Sequence, residues 1–153
     1  MRQVYQVLDK IKDNIDSNKI THTKTFGDFF EVDIDKTTIF PLAHVVIGDV
    51  TFSDQTVLMT IDVLFLDVID SINELETEDR YFGNSNLQDV LNTQLAAANY
   101  LQSVMRRGDL YTDGFQVIND VTAVPFQDRY ENMLAGWGLT LQIQIANNDV
   151  DVC

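Results

Sequence analysis

The chain of 153 residues has one cysteine, Cys153, so it cannot form an internal disulfide. Nothing therefore points to the disulfide-stapled folds of oxidising compartments. Cations are scarce: 10 Lys and Arg stand against 24 Asp and Glu, a formal net charge of -14. A surface of that sign repels phosphate backbones, and no Lys/Arg-rich stripe offsets it, which argues against sequence-reading nucleic-acid binding. Contact with DNA through a wall that does not stick is still compatible with it. No apolar run approaches the ~20 residues that a bilayer helix needs. The start, Met1-Arg2-Gln3-Val4, leads into a charged amphipathic segment rather than a secretory leader. The expectation is a soluble protein assembled in a reducing cytoplasm, with no membrane contact.

What is present fits one globular domain. Hydrophobic residues make up 45% and charged residues 22%, a balance that supports a core of its own. Val4, Val7, Leu8, Ile11 and Ile15 recur at helical spacing and predict a helix with one buried face, ending near Ser17-Asn18. Thr21, Thr23 and Thr25 alternate, and Phe29 to Asp35 reads as extended after a turn at Gly27-Asp28. His44 to Phe52 and Thr56 to Ile69 form two β-rich runs around Ser53-Asp54-Gln55, a long hairpin. In its second arm, Val57, Met59, Ile61, Val63 and Phe65 share one side. The other side starts polar and turns apolar at Leu64, Leu66 and Val68, which predicts cover on both sides there.

Beyond an acidic stretch from Asp70 to Ser85, Ser85-Asn86-Leu87-Gln88 reads as a capping box. The helix behind it is predicted to bury Leu87, Val90, Leu91, Leu95, Ala98, Leu101, Val104 and Met105. Arg106 and Arg107 suit its last turn, and Gly108 closes it. Phe115 to Ile118 and Val121 to Phe126, the latter interrupted by Pro125, are strand candidates. Leu139 to Ile145 is a half-exposed final strand, and the tail from Asn147 to Cys153 is expected to fray. The order predicts a single α+β domain over 1–153: an antiparallel sheet with a long β-hairpin and two amphipathic helices on one face.

Residues with chemistry are few. His22 and His44 are the two histidines, and neither lies in a metal-ligand spacing. Glu31, Asp33 and Asp35 share one strand face, but the glycine and late glutamate of a calcium loop are missing, so a solvated face is the reading. Asp62 and Asp67 lie among apolar neighbours and call for partners such as Arg80 or Arg129. Cys153 has nothing nearby in sequence to activate its thiol. Gly136 and Gly138 flank the single tryptophan, Trp137, without the strand-to-helix context of a phosphate loop. The expectation is a non-enzyme, with no catalytic residue, cofactor or metal.

Three stretches together carry a resemblance. They are Thr25-Phe26-Gly27-Asp28-Phe29-Phe30 through Phe40-Pro41-Leu42-Ala43-His44, Gln88-Asp89-Val90-Leu91-Asn92-Thr93-Gln94-Leu95, and Asp128-Arg129-Tyr130-Glu131-Asn132 through Gly136-Trp137. They resemble small virion proteins of tailed bacteriophages, including the crAss-like group. The element order is also similar to that of tail terminator and tail completion proteins. The resemblance implies a structural protein of the virion neck, connector or tail. It would form a homo-oligomeric ring around the DNA channel, next to portal, ring or tail proteins, with DNA only as passing cargo.

In such a ring, the expected contact between copies places Leu64, Leu66 and Val68 of one against a different surface of the next, near Trp137. The acidic segment with Glu74, Glu76, Glu78 and Asp79 reads as a solvated loop, and in a ring it would line the channel and repel phosphates. Two other classes compete: a small monomeric adaptor using the hairpin, and an acid/base hydrolase pairing a carboxylate with His44.

Overall fold

A computed structural model describes residues 2–27, 40–69, 87–108, 113–128 and 134–147. Helix α1 spans Arg2–Ser17. Val7, Ile11 and Ile15, four residues apart, are wholly buried, and Val4 and Leu8 flank them, as a single apolar stripe requires. The chain leaves α1 through a turn in which Asn18 Oδ1 accepts the amides of Ile20 (2.9 Å) and Thr21 (3.2 Å). An asparagine side chain competing for nearby amides in this way is a normal reason for a helix to end.

Among the described residues, five strands form one sheet in the order β1-β2-β3-β5-β4. They are β1 Thr23–Phe26, β2 Leu42–Phe52, β3 Thr56–Val68, β4 Phe115–Asp128 and β5 Leu134–Ala146. The predicted hairpin is β2 and β3, closed by Ser53 N–H donating to the Thr56 carbonyl at 2.8 Å. The sheet is mixed rather than purely antiparallel, because β1 pairs parallel to β2, Thr23 opposite Leu42. Parallel neighbours need a long crossover rather than a tight turn, and the chain between Phe26 and Leu42 supplies the length. The two short strand candidates near residue 120 are one strand, β4, with an irregularity between Ile118 and Thr122. Pro125 is tolerated because β4 is an edge strand.

Helix α2 spans Leu87–Met105, and α1 and α2 lie on the same face of the sheet. That face is lined by Ala43 and Val45 of β2, Met59, Ile61, Val63 and Phe65 of β3, and Leu139, Leu141, Ile143 and Ile145 of β5. Each large apolar side chain fully buried there contributes roughly 1.5–3 kcal/mol. The stripe of α2 that meets the sheet differs from the expected one. Gln94 and Ala97 are buried, whereas Leu95 is 40% exposed and Val104 half-buried. The line 87-90-94-97-101-105 follows the i+3/i+4 contact path over the sheet, and leucines at 91 and 95 lie on its flank. The capping serine Ser85, the stretch 29–35 with Glu31, Asp33 and Asp35, and the fraying tail from 148 onward lie outside the described residues.

Candidate functional site

The histidine on which a hydrolase would depend is part of the framework. His44 on β2 is 1% exposed. Its Nε2 lies 3.1 Å from the Gly27 carbonyl and its Nδ1 lies 2.6 Å from Thr25 Oγ1. A carbonyl only accepts, so Nε2 carries the proton and, in the neutral ring, Nδ1 accepts from the threonine hydroxyl. Thr25 is also the register partner of His44. The imidazole therefore fastens the short edge strand β1 onto β2. His22 lies at the surface before β1.

The two strand carboxylates are each satisfied close at hand. Asp62 Oδ1 accepts the Thr140 hydroxyl at 2.7 Å across the β3–β5 ladder. Asp67 Oδ1 accepts the Val68 amide at 2.8 Å. Burial raises the carboxyl pKa of Asp67 above its ordinary value, and the Val68 amide and the nearby His22 oppose that rise. Arg80 and Arg129 lie outside the described residues. Among the described residues, no group of three His, Cys, Asp or Glu could hold a metal ion. No described helix is long and apolar enough to cross a membrane.

Leu64, Leu66 and Val68 lie on the sheet face away from the helices, alternating with the buried Val63 and Phe65. Leu66 is wholly buried within its own chain, while Leu64 and Val68 are half-buried. Trp137 is opposite Phe65 in register, on the helix-bearing face. Its indole Nε1–H donates to the Leu91 carbonyl of α2 at 2.8 Å. Leu64 and Trp137 thus lie on opposite faces of the sheet. The acidic residues Glu74, Glu76, Glu78 and Asp79 lie outside the described residues.

Another apolar surface open to solvent lies elsewhere. β2 is buried over its first four residues and exposed over its last five, Gly48 to Phe52. Val50 and Phe52 pair with Met59 and Val57, two buried residues of the helix-bearing face. They therefore project on that same side, yet Phe52 is 71% exposed and Val50 is exposed too. The hairpin runs on past the cover of the helices. At the opposite edge, an open groove of ≈ 500 Å³ runs between α2 and β4, floored by Val121, Ala123 and Leu139. Sequence reading missed both features. The sequence puts Val50 and Phe52 in a β-rich run, but nothing local says where the helices stop.

Neither a protein-family model nor a curated protein sequence matches this chain.

Proposed function

We propose that this protein is a self-associating structural subunit, a virion protein that forms a homo-oligomeric ring in the neck, connector or tail of a tailed bacteriophage. The observation that carries the reading is the outer arm of the hairpin, exposed from Gly48 to Phe52 with Val50 and Phe52 in solvent. An apolar strand end held clear of its own core gains free energy when another surface covers it. The fold supports the reading as well, since a hairpin, two helices on one face and closing strands is the arrangement that the resemblance to tail terminator and completion proteins implies. The net charge of -14 suits a channel through which DNA slides without adhering. Portal, ring or tail proteins are the neighbours in such an assembly, and DNA is cargo.

The test is direct. Mass spectrometry of purified phage particles encoding this chain is expected to find it in stoichiometric amounts. Imaging of the neck and tail is expected to find it as a symmetric ring. Particles that assemble, carry DNA and lack the chain would overturn the proposal.

A further inference from the structure

The exposed hairpin arm and the α2–β4 groove lie at opposite edges of one sheet, and both open on its helix-bearing side. We infer that each is the partner of the other between copies: Val50 and Phe52 of one copy dock in the α2–β4 groove of the next. This rests on the self-association proposed above and moves the principal contact away from Leu64 and Val68.

Three features choose a second copy as the occupant. The groove offers an apolar strip to the apolar arm, with Leu95 and Ala98 in one wall and Val121, Ala123 and Leu139 as the floor, bordered by the polar side chains of Asn99, Gln102 and Ser103. Leu95, 40% exposed on a helix flank, gains cover from an aromatic ring laid beside it. The charges also match. Asp49 and Asp54 bracket Val50 to Phe52, and the arm carries no Lys or Arg. Arg106 lines the groove, and its described ion pair is a 3.8 Å contact to the fully exposed Asp120. Such a contact is weak enough to exchange for another carboxylate. Finally, joining opposite edges of identical subunits is a heterologous contact, the kind that closes into a ring when the rotation permits.

Side chains carry this contact rather than an added strand. The irregularity between Ile118 and Thr122 and the missing amide of Pro125 interrupt the outer edge of β4, and both devices discourage continuous strand pairing.

The experiment places a photo-reactive benzophenone amino acid at position 52 of the full chain. Cross-linked peptides are mapped and the oligomeric state is read by native mass spectrometry over a range of concentrations. Intermolecular cross-links are expected to land within residues 95–106 or 121–123. Phe52→Ala is expected to raise the assembly midpoint by about 30-fold, as loss of a central aromatic anchor does. Arg106→Glu is expected to raise it by ~10-fold, and Arg106→Glu combined with Asp54→Arg to recover most of that loss. All three sites are exposed, so circular dichroism should report an unchanged fold.

Oligomers whose cross-links from position 52 fall elsewhere, or on another protein, overturn this docking and leave the ring reading standing. A chain that stays monomeric with no intermolecular cross-link overturns the docking and self-association by the chain alone; particle mass spectrometry judges the virion assignment separately.

Discussion

The indole Nε1–H of Trp137 donates to the backbone carbonyl of Leu91 at 2.8 Å, tying the last strand to the flank of the second helix. The bond fixes α2 over β5, and α2 is also the wall of the groove proposed to receive a neighbour. Trp137→Phe keeps an aromatic ring but removes the donor. A loss of ~1–3 kcal/mol is expected, combining the hydrogen bond with lost ring contact. Urea unfolding at one fixed protein concentration measures it, and a change under ~0.5 kcal/mol would show that the bond contributes little.

Gly136 and Gly138 stand on either side of that tryptophan with different constraints. A Cβ at Gly136 would lie 1.7 Å from the Phe65 carbonyl oxygen, a backbone atom that cannot move aside. A Cβ at Gly138 would lie 3.2 Å from Leu64 Cδ2, the end of a flexible side chain. Gly136→Ala is expected to destabilise by more than ~3 kcal/mol, and Gly138→Ala by under ~1.5 kcal/mol. Thermal melts of the two variants side by side decide the point, and equal losses would contradict it.

Gln94 is fully buried beneath α2, and neither its Oε1 nor its Nε2 has a hydrogen-bond partner. A buried amide in that state opposes folding by roughly 1–3 kcal/mol. Gln94→Met, close in shape and apolar, is expected to raise stability by about 1 kcal/mol. A variant less stable than the parent chain would mean that the amide is satisfied in solution.

Asp67 has a raised carboxyl pKa, caused first by its burial. The folded state therefore holds the proton more tightly than the unfolded chain. This group's contribution to stability is greatest below the unfolded carboxylate value and is lost as pH rises through the folded value. Asp67→Asn, which keeps an oxygen for the Val68 amide, is expected to melt at a higher temperature than the parent at pH 7. The advantage should vanish near pH 3. A gain that is the same at both pH values would assign the effect to something other than ionisation.

Much of the fold was legible in the chain, and the reasons are local. Val7, Ile11 and Ile15 repeat with the helical period, and Val57 to Phe65 repeats with the strand period, so each element declares its apolar side. The candidate site was less legible. Leu64, Leu66 and Val68 drew attention as surplus apolar surface, yet Leu66 is spent on the chain's own core. Phe52 looked like an ordinary strand residue and is the most exposed phenylalanine described.

Periodicity, turn residues and charge balance were thus enough to establish one α+β domain, its hairpin, its two helices and its acidic surface, because those properties depend on neighbours a few positions apart. Other features came from segments far apart in sequence meeting in space. These include the parallel seating of β1 by His44, the choice of Gln94 over Leu95 to face the sheet, and the pairing of Trp137 with α2. The uncovered tip of the hairpin belongs with them, since it depends on how far two helices extend over a five-stranded sheet.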